Sequence, residues 1–168
     1  MDMMIRPERA EDVEWISQIT EEAFRDEVHS SHTEHHIITE LRRRGVLSCS
    51  LVAVWKGERV GHIAFSPVEI SDGSAGWYGL GPVAVAREWQ GKGIGQALVS
   101  AGLAALRLSG AAGCVVLGEP GFYGRFGFRQ SAGCVLEGVP PEYFQVIGFG
   151  SEVPVGTVRY DEAFGVEG

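Results

Sequence analysis

Apolar residues recur along the chain with two spacings, one typical of helices and one typical of strands. Stripes that return every three or four positions, as on a helix with one buried face, cover residues 10–23, 31–44 and 94–109. Runs rich in β-branched and aromatic residues, as in half-buried strands, cover residues 3–7, 50–56, 59–69, 80–85, 114–117, 143–149 and 156–160. The pattern predicts a domain that contains both helices and a β-sheet.

The segments that connect the predicted strands indicate how two pairs of strands are oriented. Residues 50–56 and 59–69 are joined by a tight turn that contains Gly57, so they are predicted to form an antiparallel hairpin. Residues 114–117 come after a helix that itself follows the strand at 80–85. A short apolar run in this position is typical of a buried parallel strand, so the sheet is predicted to be mixed.

The segment between strand 80–85 and helix 94–109 is rich in glycine, with Gly91, Gly93 and Gly95. Glycine allows backbone conformations that expose successive N–H groups, and the following helix adds the positive end of its dipole. The segment therefore predicts an anion site that is best suited to phosphate. The glycines do not give G-x-G-x-x-G in either register, and a P-loop would need Ser or Thr where Gly93 stands, so both of those loops are excluded.

The residues of this loop resemble a known family signature. Gln90, Gly93 and Gly95 match the Q/R-x-x-G-x-G/A acyl-CoA signature of the GNAT N-acetyltransferases, and residues 80–85 resemble that family's cofactor strand. A second motif, residues 123–128, resembles the family's Y-x-x-x-G-F and follows one helix and one strand, in the family's order. The chain is therefore similar, over nearly its whole length, to small bacterial members of this family.

The resemblance implies a fold and an activity. The implied fold is α+β, a single GNAT domain over residues 1–168 with a mixed, mostly antiparallel twisted sheet, a splayed parallel central strand pair, and flanking helices. The implied reaction moves an acetyl group from the cosubstrate acetyl-CoA to a primary amine, by direct attack in a ternary complex. Pantetheine is implied to lie between the splayed strands. The residues implied to bind the cofactor are Val83, Ala84, Val85, Gln90, Gly91, Lys92, Gly93, Ile94, Gly95 and Gln96.

Tyr123 is the candidate catalytic residue, because the matching tyrosine of the family lies near the CoA sulfur. Complete proton transfer from a phenol of pKa ~10 to a thiolate whose thiol has pKa ~8.5 is uphill by about 2 kcal/mol. A hydrogen bond donated to the leaving thiolate is therefore the expected role. The resemblance further implies that a backbone N–H, from a strand bulge near residues 83–85, polarises the thioester carbonyl.

The general base is not identified by the sequence. Family members that use a glutamate often place it on the cofactor strand, at the position that is Gly79 here, and no carboxylate lies between Gly73 and Ala86. The amine proton is therefore expected to leave through a water relay or to a base from elsewhere in the chain. The candidates are Glu69, Glu119, Tyr78 and His62.

The amino-acid composition limits the kinds of molecule that the protein is expected to bind. With 14 basic and 22 acidic residues the formal charge is −8, which opposes binding to nucleic acid and favours cationic partners. No apolar run approaches the ~20 residues of a membrane span, so a cytoplasmic protein is expected. The three cysteines have no metal-ligand spacing and fit reduced thiols. The expected acceptor is a small-molecule or peptide amine, and homodimer formation is left open.

Two other functions compete with acetyl transfer. A non-catalytic module that binds or senses acyl-CoA would keep the glycine loop, and the lack of a carboxylate on the cofactor strand favours it. A generic phosphate-binding α/β enzyme would also use such a loop. Retention of Tyr123 favours the transferase over the binding module. The generic phosphate-binding enzyme would show no preference for CoA over unrelated nucleotides.

Overall fold

The computed structural model describes residues 2–28 and 30–166, which form an eight-stranded sheet with helices on both faces. The strands are β1 (Met3–Pro7), β2 (Cys49–Trp55), β3 (Glu58–Ile70), β4 (Trp77–Val85), β5 (Gly113–Leu117), β6 (Cys134–Val135), β7 (Phe144–Gly148) and β8 (Gly156–Tyr160). The α-helices are α1 (Val13–Phe24), α2 (Glu34–Arg43), α3 (Ile94–Leu108) and α4 (Pro120–Tyr123). None of the helices in the described part of the chain has the length and apolar character that crossing a membrane requires.

The strand order along the sheet is β1-β2-β3-β4-β5-β7. Neighbours on this path are antiparallel except β4 and β5, which are parallel. β8 pairs with the end of β3 at residues 68–70 and with the short strand β6. The predicted hairpin, the predicted parallel pair and the mixed, mostly antiparallel sheet are all confirmed.

β4 and β5 are paired only over the first three residues of each strand. Residues 77–79 of β4 pair with residues 113–115 of β5. Beyond this point β4 continues to Val85 along β3, whereas β5 continues to Leu117 along β7. The two central strands therefore part after Gly79, as the predicted splayed pair requires.

A bulge interrupts β4 where it leaves β5. Leu80 lies opposite Phe65 of β3, and Val83 lies opposite Ile63, so β4 has two residues where β3 has one. The extra residue lies at Gly81 or Pro82, one or two positions before the implied site at residues 83–85. An extra residue in one strand bends that strand and shifts its backbone alternation.

The apolar stripes predicted from the sequence face the sheet. α3 covers one face, where Phe65, Leu98 and Val99 belong to the largest core cluster. On the other face Ile16 of α1 and Ile38 of α2 pack with Val52 of β2. Alternation of side chains along the strands accounts for the separation of these clusters.

The first predicted helix begins with a short 3-10 turn over Ala10–Asp12 before α1. The buried Asp12 carboxylate accepts hydrogen bonds from the Arg9 backbone N–H at 2.7 Å and from the Arg6 guanidinium at 2.7 and 3.1 Å. The Arg6 guanidinium holds the pKa of this carboxyl well below its usual range. The ion pair joins β1 to the start of α1, which a period of 3.6 residues does not predict.

Close packing between α3 and β3 depends on Gly102. A Cβ atom at this position would lie 2.2 Å from Cε1 and 2.4 Å from Cζ of the buried Phe65 ring. Such contacts are too short for a folded protein, so a side chain at residue 102 would displace the ring or the helix.

We expect Gly102→Ala to lower the free energy of unfolding by about 1–3 kcal/mol, because overpacking outweighs a gain of up to about 1 kcal/mol in helix propensity. Gly95→Ala, in the same helix, is the matched control, since its Cβ would meet only Val85 Cγ2 at 3.9 Å. Urea unfolding of both variants without ligand measures the difference. Equal stability of the two variants would contradict the packing argument.

Candidate functional site

The loop between β4 and α3 has the open backbone that its glycines predict. Gly91 and Gly93 have φ of 77° and 83°, in the left-handed region that side chains disfavour. A Cβ atom at either residue would meet no protein atom within 4 Å. Gly93 immediately precedes Ile94, the first residue of α3, so free helical N–H groups border this empty space.

A cavity of about 330 Å³ lies beside the loop. The predicted residues that line it are Val85, Gln90, Gly91, Gly93, Ile94, Gly95 and Gln96. Phe122 and Arg125, from the segment after β5, close its other side, and Arg125 Nη1 donates to Gln96 Oε1 at 3.1 Å. Lys92 is exposed at the rim of the loop. The structure therefore brings the two sequence motifs together around one cavity.

The backbone of β4 presents polar groups to the gap beside this cavity. The N–H of Ala86 donates to the Val60 carbonyl of β3 at 2.9 Å, and Ala84 lies opposite His62 in the same ladder. Because backbone groups alternate in direction along a strand, those of Ala84 face β3 and those of Val83 and Val85 face the gap. Gln90 Nε2 donates to the Val85 carbonyl at 3.1 Å, from the gap side.

Tyr123 ends α4 and packs under the loop that follows β5. A Cβ at Gly118 would lie 2.4 Å from its ring, and the rings of Phe122 and Phe128 meet it edge-on, with centroids 4.9 and 5.8 Å away. The bare backbone at Gly118 thus makes room for the phenol. Burial raises the pKa of Tyr123 to about 12, so the phenol is neutral at physiological pH.

The three cysteines are poor nucleophiles. Cys114 and Cys134 are buried and Cys49 is half-buried. Burial raises the pKa of each thiol, and for Cys114 the shift is large. Since the thiolate is the reactive form, none of the three is poised to carry an acyl group.

A second cavity, of about 740 Å³, lies between the end of α1 and the start of α2 on one side and the end of β5 on the other. Three carboxylates line it, those of Glu27, Glu34 and Glu119. The Glu34 carboxylate accepts hydrogen bonds from Ser30 Oγ at 2.7 and 2.8 Å, which anchors that side chain at the wall. The cavity is therefore an acidic cleft beside the carboxyl end of β5.

The four candidate bases lie in different parts of the molecule. Glu69 is exposed and ion-paired with Arg159, and Tyr78 packs against the core cluster under α3. His62 is buried with Nε2 2.8 Å from Ser50 Oγ, and burial lowers the pKa of its imidazole to about 4. Of the four, Glu119 alone lines the acidic cleft.

A mixed sheet that opens between two parallel strands, beside a glycine loop and a helix amino terminus, defines an acyltransferase of the GNAT fold. The family model described as "Acetyltransferase (GNAT) domain" matches residues 47–130. The chain belongs to the GNAT acetyltransferase family.

Relatives of known sequence and structure agree with this assignment. An uncharacterized N-acetyltransferase of Escherichia coli (strain K12), YhbS, is 36% identical over 131 residues, which are 77% of this chain and 75% of YhbS. A GNAT family acetyltransferase from Brucella melitensis, solved in complex with acetyl-CoA, is 48% identical, with a TM-score of 0.86 over 96% of this chain and 97% of that one. The structure of E. coli YhbS in complex with CoA gives a TM-score of 0.87 at 31% identity, over 100% of this chain and 94% of that one.

Membership of the family confirms the predicted α+β fold and the predicted enzyme class. The protein is an acyltransferase, and acetyl-CoA is the cosubstrate of its family. Both findings favour the transferase over the non-catalytic binding module and over a generic phosphate-binding enzyme.

Proposed function

We propose that the protein acetylates a primary amine, and that the amine attacks acetyl-CoA directly in a ternary complex. The observation that carries the proposal is the gap between β4 and β5. The glycine loop follows β4 and Tyr123 follows β5, so both lie at the carboxyl ends of the diverging strands. The acidic cleft opens at the same end of β5, which gives an acceptor a separate route to the gap.

Direct attack fits the chemistry of the side chains. An acyl-enzyme route needs an activated nucleophile, and burial raises the pKa of all three thiols. In the proposed route the amine nitrogen bonds to the thioester carbonyl carbon, the C–S bond breaks, and the CoA thiolate leaves. The extra proton on nitrogen goes to a base of the cleft.

The loop residues would hold the cosubstrate's phosphates. The backbone around Gly91, Gly93 and Gly95 offers N–H groups and the positive end of the α3 dipole to an anion. The space that a Cβ would occupy at Gly91 or Gly93 is free, so a phosphate oxygen can approach the backbone closely. The backbone groups of Val83 and Val85 would bind the amide groups of pantetheine in the gap.

Tyr123 would stabilise the leaving thiolate by donating a hydrogen bond. With its pKa at about 12, full proton transfer to a thiolate whose thiol has pKa ~8.5 is uphill by about 5 kcal/mol. A neutral phenol still donates a strong hydrogen bond to a thiolate, and a water-poor site strengthens it.

The acidic cleft would bind the acceptor. Three carboxylates attract an amine that carries positive charge, and the chain's net charge of −8 supports the same preference. Glu40, which also lies on the second helix, pairs instead with Arg43 and does not line the cleft. We therefore propose a primary amine on a cationic molecule as the acceptor, with Glu119 taking its proton through water.

Acetyl-CoA at a hundredfold excess over its dissociation constant should stabilise the fold by about 2.7 kcal/mol, because only the folded protein holds the loop in the conformation that binds it. Gly93→Val should abolish most of this stabilisation, since the new side chain would fill the space beside the loop. Gly110→Val is the matched control, because Gly110 also has a positive φ, of 88°, and no neighbour within 4 Å of a Cβ, but lies after α3. Thermal unfolding with and without acetyl-CoA measures both. An undiminished shift in Gly93→Val would mean that phosphate binds elsewhere.

Tyr123→Phe should lower kcat about 10²–10³-fold with little change in acetyl-CoA affinity, because it removes one donor to the developing thiolate and keeps the ring. Single-turnover measurement of thiol release isolates the chemical step from product release. A single-turnover rate equal to that of the unchanged enzyme would refute the role of Tyr123.

Glu27→Gln should raise KM for cationic amines about five-fold, as expected for one exposed ion pair worth about 1 kcal/mol. Glu119→Gln should instead lower kcat about 10²-fold if its carboxylate takes the proton. Glu58→Gln makes the same charge change in the β2–β3 turn, away from the cleft, and should alter neither constant. A screen of cationic, neutral and acidic amines at low salt supplies the substrates. Preference for acidic amines, or equal effects of all three variants, would count against the proposed cleft.

A further inference from the structure

The hydroxyl of Tyr160 is buried and has no hydrogen-bond partner in the described part of the chain. Buried phenols normally have a partner, because an unpaired polar group in the interior destabilises the fold. Tyr160 ends β8, and its pairing with Val68 of β3 fixes its backbone. A polar atom held in this way without a partner is suited to a ligand that binds beside it.

The Tyr160 ring reaches across β3 to the point where the gap begins. A Cβ at Gly79 would lie 3.1 Å from its Cε1 and 3.5 Å from its Cδ1. Gly79 is the last residue of β4 that pairs with β5. The phenol therefore occupies the space over the cofactor strand that a side chain at residue 79 would fill.

A second unpaired oxygen lies on the same face. Ser66 of β3 is directly opposite Gly79 in the β3–β4 ladder, and its buried Oγ has no partner among the described residues. Paired residues of neighbouring strands point to the same face, so Ser66 and the Tyr160 ring both border the bare backbone of Gly79. Two unpaired oxygens at the start of the gap point to a ligand with N–H or O–H groups.

The two phenols of the site lie on opposite faces of the splayed strands. Tyr123 packs against the cluster that contains Cys114 and Phe128, and Tyr160 packs against the cluster that contains Val115. Since successive residues of a strand point to opposite faces, Cys114 and Val115 separate the two sides. Burial raises the pKa of Tyr160, with a smaller contribution from Cys114 and Tyr123, which lie near enough to act on it.

We propose that Tyr160 positions the acceptor amine, its Oη accepting a hydrogen bond from the amine N–H while the nitrogen lone pair faces the thioester carbonyl. The inference rests on the proposed function. The opposite arrangement, with the phenol donating to the nitrogen, would occupy the lone pair that must attack. Because burial keeps the phenol neutral, Tyr160 orients the amine and is not its base.

Tyr160→Phe tests the role, because it removes the hydroxyl and keeps the ring over Gly79. We expect kcat/KM for the amine to fall about ten-fold, mainly through KM, with KM for acetyl-CoA unchanged. The melting temperature should stay the same or rise, since the variant loses a buried oxygen that has no partner. Tyr123→Phe, the same change on the other face, should instead act on kcat.

Three results would contradict the proposed role of Tyr160, and they differ in what they imply for the proposed function. Unchanged kinetics for the amine in Tyr160→Phe would overturn the inference while leaving wild-type turnover, and so the proposed function, intact. A lower melting temperature with a parallel rise in both KM values would show that the hydroxyl has a structural partner, and would also overturn it. Wild-type protein that is stabilised by acetyl-CoA but acetylates no primary amine would overturn the proposed function and this inference together.

Discussion

The parting of β4 from β5 is the constraint on which the rest of the site depends. Parallel strands satisfy the backbone groups of their neighbours, so opening a sheet leaves polar groups that need other partners. Here each strand keeps a partner on its outer edge, β4 with β3 and β5 with β7, and this pairing holds the two strands apart. The backbone groups of β4 that face the gap, those of Val83 and Val85, are thereby available to an extended ligand that lies along the strand.

The bulge in β4 decides which backbone groups face the gap. Without an extra residue the alternation would run unbroken from Leu80, and Ala84 would face the gap. With the extra residue at Gly81 or Pro82, the ladder to β3 is made through Ala84, and the backbone groups of Val83 and Val85 turn to the gap. Pro82 lacks an N–H and could not have offered one there. The bulge therefore sets the register of the site.

Local sequence predicts the parts of this protein that local forces determine. The stripe of α3, the runs of β4 and β5, and the glycine loop follow from spacing, and the structure has them close to the predicted bounds. The bulge and the pairing of β8 with β3 are set by contacts between residues distant in sequence. The spacing of apolar residues within one segment does not report such contacts. For the same reason the four candidate bases could not be ranked from the sequence, because only the fold places Glu119 at a cleft and pairs Glu69 with Arg159.

The described part of the chain has three buried side-chain atoms without a hydrogen-bond partner, His62 Nδ1, Ser66 Oγ and Tyr160 Oη, and the surroundings of His62 differ from those of the other two. The His62 imidazole is neutral, since burial lowers its pKa to about 4, and Ser50 Oγ donates to the Glu8 carboxylate. We therefore assign the proton of His62 to Nε2, which donates to Ser50 Oγ, and Nδ1 is left as a lone pair. Arg42 binds Glu8 at 3.0 and 3.1 Å, so each side chain of this network has a partner within it, and the Nδ1 lone pair is its one buried side-chain atom without a partner among the described residues. Among the described residues no comparable network surrounds the oxygens of Ser66 and Tyr160 at Gly79, and from this difference we infer that a polar ligand in the gap supplies their hydrogen bonds.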